Sequence, residues 1–158
     1  MPYTTSNGTR LFWDESGQGD PLLLIMGLGY THEMWFRSRP LLSQRYRTIT
    51  FDNRGVGNSD IPTGPYSIAQ MAADAAAVLD AAQVDRAHIF GISMGGMIAQ
   101  EFAIAYPARV RSLILGCTAC GGRNAIPASE QVLRIRLARA TMTPEEGIRA
   151  MVPFIYDA

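Results

Sequence analysis

Apolar positions along this chain keep two rhythms in turn. Leu22-Leu23-Leu24-Ile25 is an unbroken apolar run, the pattern of a parallel strand covered on both faces. Residues 10–15 and 47–51 read as further strands, and Gly17-Gln18-Gly19-Asp20-Pro21 is the turn that ends the earlier one. Then the period changes. Ile68, Met71, Ala72, Ala75, Val78, Leu79 and Ala82 share one face of a helix over residues 67–83. Ser67 and Gln70 have the spacing of a capping box at its start. Residues 87–90 return to strand, 97–103 to helix with Pro107 marking its end, and 110–115 to strand again. Strands alternating with helices in this way predict an α/β fold with a mostly parallel sheet and flanking helices.

The character changes after Gly121-Gly122. Val132, Leu133, Leu137 and Ala140 form the stripe of one helix. A second opens at Thr143-Pro144-Glu145-Glu146, with an N-cap, a proline at the first helical position and a capping glutamate. Ile148, Met151, Val152 and Ile155 lie along its inner side. Arg123, Arg134, Arg136 and Arg139 read as a solvated basic face. Residues 1–120 are therefore expected to form the sheet-bearing part and 121–158 a separate helical part.

Composition narrows the function classes. Fourteen basic residues balance fourteen acidic ones in 158 residues, which gives no electrostatic case for a nucleic acid or an anionic membrane as partner. The longest apolar run, residues 22–26, is far too short to span a bilayer. The opening residues lack the basic and apolar regions of a secretory signal, so a cytoplasmic, reduced protein is the expectation. Cys117 and Cys120 form a C-x-x-C followed by two glycines, and one such pair is half a zinc site at most. Free thiols and no metal are expected. Gly27-Leu28-Gly29 and Gly55-Val56-Gly57 lack the third glycine of a dinucleotide fingerprint, and no cofactor is called for.

The chemistry gathers at Gly91-Ile92-Ser93-Met94-Gly95, a G-x-S-x-G between a predicted strand and a predicted helix. Such a turn lifts a serine Oγ above the sheet, and the helix after it points its N-terminus at the reacting centre. Gly91 and Gly95 flank the serine where a sharp turn leaves no room for side chains. Two other segments also follow predicted strands: Ile25-Met26-Gly27-Leu28-Gly29, and residues 52–60 with Asp52, Arg54, Gly55, Gly57 and Ser59 in a D-x-R-G-x-G-x-S pattern.

In this order, the three segments resemble the α/β-hydrolase family. The likeness runs to about Thr118 and is strongest to small ester and lactone hydrolases of the 3-oxoadipate enol-lactonase and aclacinomycin methylesterase kind. It implies a nucleophile at Ser93 and an oxyanion hole from the backbone N–H groups of Leu28 and Met94. Gly27, Gly91, Gly95, Asp52, Arg54 and Gly55 support the motif, and Asp52 braces its own loop. The implied substrate is a small carboxylic ester or lactone. Rival readings are a cofactor-free haloperoxidase, a C–C bond hydrolase, or a non-catalytic ligand-binding or truncated protein of the same fold.

The pattern departs from the family in its base. His88 lies five residues before Ser93 in the same strand, about 16 Å away along it. His32 follows the Gly27 loop and reads as a pocket-lining or helix-capping residue. The family's acid and histidine follow later strands, and the alternative acid position is filled by Gly116, Cys117 and Thr118. The chain is thus expected to be the N-terminal portion of a longer hydrolase, its sheet truncated after about the sixth strand and followed by the start of a helical cap. Such a piece alone would be inactive and would aggregate or form a homodimer through its open sheet edge.

Overall fold

The computed structural model describes residues 3–121, 126, 129–138 and 141–155. Six strands form one sheet: β1 (Tyr3–Ser6), β2 (Thr9–Ser16), β3 (Asp20–Ile25), β4 (Tyr46–Phe51), β5 (Ala87–Ile92) and β6 (Val110–Gly116). Their order is β1-β2-β4-β3-β5-β6. The first two form an antiparallel ribbon that pairs antiparallel with β4, whereas β4, β3, β5 and β6 run parallel. This is the mostly parallel α/β sheet read from the sequence.

The apolar run of β3 is covered on both faces, as its pattern required. Leu23 and Ile25 join Leu11, Ile49, Phe51 and Ile89 in one core, which packs beneath α2 (Ile68–Ala81) and α3 (Met94–Ala105). Leu22, Leu24 and Met26 point the other way, as alternate strand positions must, and meet Trp35. The Ser67–Gln70 capping box at the start of α2 is formed in both directions, at 3.1 and 2.9 Å.

Four elements have no counterpart in the sequence reading: β1, the 3-10 turns His32–Trp35 and Pro107–Arg109, and the one-turn helix α1 (Arg39–Leu42). Each is three or four residues long, too short to show a period.

The chain divides into two compact units, Met1–Gly121 and Gly122–Ala158. In the second, α4 (Glu130–Ala138) and α5 (Pro144–Ile155) are helical. Thr143 and Glu146 cap α5 reciprocally, with Thr143 N–H donating to Glu146 Oε2 at 2.8 Å and Glu146 N–H to Thr143 Oγ1 at 3.3 Å. Ile148 and Val152, read as inward-facing, are exposed. Arg134 pairs with Glu130 along the helix at 2.6 Å. Ala140, Arg123, Arg139 and the side chains of Arg136 and Ile155 lie outside the described residues. No described helix is long and apolar enough to cross a membrane.

Candidate functional site

Ser93 stands alone between β5 and α3, with φ 54° and ψ −125°. Side chains rarely adopt this left-handed region, and holding one there costs about 1–3 kcal/mol. The surrounding backbone enforces it. A side chain on Gly91 would run into the Gly95 carbonyl, and one on Gly95 into the Ile25 carbonyl at the end of β3. The serine itself is exposed. Its N–H donates to Gly116 O at 2.9 Å, and its carbonyl accepts from Gly96 N–H at 2.9 Å and from Thr118 Oγ1 at 2.7 Å.

The parallel registers carry other loops to the same sheet edge. Ile25 pairs with Gly91, so Gly27 comes level with Ser93. A methyl group on Gly27 would lie 3.1 Å from Ser93 Cβ and 3.5 Å from its Oγ. The carbonyl of Met26, just before Gly27, accepts from the buried Asn53 Nδ2 at 3.0 Å. Leu28, the next residue, has an exposed side chain.

Asp52 is fully buried and spends both carboxylate oxygens. Oδ2 accepts from Asn58 N–H at 2.9 Å, inside its own loop. Oδ1 accepts from the backbone N–H of His32 at 2.7 Å and meets the His32 ring Nδ1 at 2.8 Å. One carboxylate therefore ties the residue 52–60 loop to the far end of the Gly27 loop. Ser59 Oγ donates to Asp52 O at 2.6 Å, and Phe12 N–H donates to Ser59 Oγ at 3.0 Å, which anchors the loop to β2.

Arg54 leaves this cluster and reaches α2. Its Nε and Nη2 each donate to Asp74 at 2.7 Å, with both side chains buried. The hydrogen-bonded Asp74 carboxylate raises the Arg54 pKa above its ordinary value, against the opposing effect of burial. Gly55, with φ +79°, leaves its flank open to the Tyr66 ring, and the Arg54 guanidinium lies 6.0 Å from that ring's centre.

Among the described residues, none of the remaining sequence candidates bonds the serine hydroxyl. His88 Nδ1 is paired with Ser112 Oγ at 2.7 Å, a structural bond between β5 and β6. Among the described residues, Ser93 Oγ makes no hydrogen bond to a histidine or carboxylate, and no cluster of metal-ligating side chains is present. Cys117 and Cys120 are free and exposed. Met26 and Trp35 are buried core, with Trp35 against Phe90 at 5.1 Å, whereas Phe36 is exposed. Sequence reading missed Asp74, Thr118 and the His32–Asp52 bond. Asp74 does carry a signal, because it is a charge on the otherwise apolar side of α2.

A sequence model of the family described as alpha/beta hydrolase fold matches residues 20–145. RutD of Azorhizobium caulinodans, whose name assigns it carbamate hydrolysis, is 38% identical over 160 residues, covering 99% of this chain and 58% of that protein. The 3-oxoadipate enol-lactonase 2 of Acinetobacter baylyi is 37% identical over 134 residues, 82% of this chain and 50% of the relative. The crystal structure of the enol-lactonase from Burkholderia xenovorans LB400 matches with a TM-score of 0.75 at 30% identity, over 98% of this chain and 58% of that one. The chain thus spans about half the length of the curated relatives it matches. Sequence match and sheet architecture agree with the resemblance read from the three loops: the chain belongs to the alpha/beta hydrolase family.

Proposed function

We propose that the whole protein is a serine hydrolase of small carboxylic esters or lactones, working through an acyl-enzyme on Ser93. The observation that carries this reading is the strained, exposed Ser93 with Gly27 set against it. Attack joins Ser93 Oγ to the substrate carbonyl carbon while a base takes the hydroxyl proton, and negative charge moves onto the carbonyl oxygen. Two N–H groups are free to hold that charge. Met94 opens α3, so its N–H has no partner within the helix. Leu28 N–H donates to no backbone carbonyl among the described residues. Such donors supply several kcal/mol to the transition state because they are set before charge develops. Collapse of the intermediate expels the alcohol or enol, and water then releases the acid by the same steps. The base and its orienting acid are assigned to the half of the relatives' length that this chain does not span. Gly91 and Gly95 shape the turn, and Asp52, Arg54 and Gly55 hold the neighbouring loop. The proposed chemistry needs no cofactor or metal.

The test is fluorophosphonate labelling of the whole protein, followed by peptide mapping and turnover of p-nitrophenyl acetate and an enol-lactone. Labelling at Ser93, and loss of turnover in Ser93→Ala, are the expected results. Turnover that persists in Ser93→Ala would remove Ser93 from the mechanism. Binding of an apolar ligand without any labelling would favour a non-catalytic protein.

A further inference from the structure

We propose that Thr118 is a positioning residue that aims the Met94 N–H at the developing oxyanion. This rests on the reading of Ser93 as nucleophile and adds a residue outside all three loop motifs.

One peptide plane carries both groups. The Ser93–Met94 amide is planar and trans, so the Ser93 carbonyl and the Met94 N–H point in opposite directions along one rigid unit. Whatever fixes the Ser93 oxygen therefore fixes the direction of the Met94 N–H. Three donors meet that oxygen: Gly96 N–H at 2.9 Å, Met97 N–H at 3.4 Å and Thr118 Oγ1 at 2.7 Å. The first two belong to α3 and would turn with it. Thr118 follows β6, and so it references the peptide plane to the sheet. A carbonyl that accepts a further hydrogen bond is also more polarised, which makes the N–H of the same amide a stronger donor.

Thr118 is itself held in place. Gly116 O, two residues earlier, accepts from Ser93 N–H at 2.9 Å. Ala119 O, one residue later, accepts from Gln100 Nε2 at 3.1 Å, and the same nitrogen reaches Gly96 O at 3.1 Å. The side chain lies directly on Gly96, where an added methyl group would come within 2.6 Å of Thr118 Cβ, Cγ2 and Oγ1. A β-branched residue has a stiff χ1, so its methyl can rest on Gly96 while its hydroxyl stays on the Ser93 oxygen. Serine keeps the hydroxyl and valine keeps the shape, which separates the two contributions.

The test compares Thr118→Val and Thr118→Ser in the whole protein, with Ser93→Ala as the blank. Thr118→Val is expected to lower kcat and the rate of fluorophosphonate labelling by about tenfold with KM unchanged, and to weaken a boronate transition-state analogue by a similar factor. Thr118→Ser is expected to stay within about threefold of wild type on every measure. If Thr118→Val does not fold, Thr118→Ala against Thr118→Ser carries the same comparison, since they differ by one hydroxyl. Labelling of wild type at Ser93 with no difference between the hydroxyl-bearing and hydroxyl-lacking variants would overturn the role of Thr118 alone. Absence of labelling at Ser93 in wild type would overturn this inference together with the reading beneath it.

Discussion

Oδ1 of Asp52 receives His32 twice, from its backbone N–H at 2.7 Å and at its ring Nδ1 at 2.8 Å. With Asn58 N–H on the other oxygen, a fully buried carboxylate has three partners drawn from two loops. Asp52→Ala strands all three and is expected to cost about 3–5 kcal/mol. Asp52→Asn keeps an oxygen for His32 and loses the Asn58 bond, so about 1–3 kcal/mol is expected. Urea unfolding of the two variants checks the order, and equal costs would contradict it. The ring of His32 is a support in this arrangement. His32→Ala is expected to leave Ser93 labelling within about tenfold of wild type, whereas loss of a general base removes about 10²–10⁴-fold.

Arg54 and Asp74 join the same loop to α2 through a buried bidentate pair. Removing one partner leaves an uncompensated charge, and Asp74→Ala is expected to destabilise the protein by about 3–5 kcal/mol. While Asp74 carries its charge, the raised Arg54 pKa makes this contribution complete below the ordinary arginine value, and it is lost as the pH rises through the raised value in strong alkali. Replacing both residues by apolar side chains of similar volume should recover most of the loss. A double-mutant cycle measured by thermal denaturation decides it, and additive single effects would show that the pair is not coupled.

Glu146 carries a pH dependence at the start of α5. The Thr143 backbone N–H and then its hydroxyl lower the Glu146 pKa below its ordinary value of 4.5. A depressed carboxyl pKa stabilises the folded form above the unfolded value and ceases to do so as the pH falls through the folded one. Acidification below 4.5 is therefore expected to fray the first turn of α5, with Glu146→Gln showing no such step. NMR titration of the Glu146 carboxyl and of the amides following Thr143 reports both.

The outer edge of β6 pairs with no strand among the described residues, and Leu113, Ile114 and Leu115 are 38%, 44% and 43% exposed. An apolar edge of this kind is a template for another chain. The 158-residue chain, expressed as such, is expected to sediment as dimers or larger species, and Ile114→Lys to shift it toward monomer. A wild-type monomer at tens of micromolar would rule this out.

The elements most legible in the sequence were those with a strong local cause. The unbroken apolar run of β3, the capping box of α2 and the strand–glycine–serine–glycine–helix passage at Ser93 all formed as read. What stayed hidden depends on loops distant in sequence meeting across parallel strands. Nothing local to His32 announces Asp52 twenty residues on, and nothing near Thr118 announces a serine carbonyl twenty-five residues back. Those partners are set by the order β4-β3-β5-β6, which places consecutive strand ends side by side. The chain reads locally; its loops are paired by the sheet.

The backbone angles of Ser93 set stability against chemistry. A conformation at φ 54° suits glycine and penalises every other residue, so Ser93→Gly is expected to raise stability by about 1 kcal/mol. If the proposed chemistry holds, the protein is at its most durable without its reactive atom. Selection for thermal robustness alone would discard the serine early, and so an enrichment screen on stability should recover that substitution among its winners.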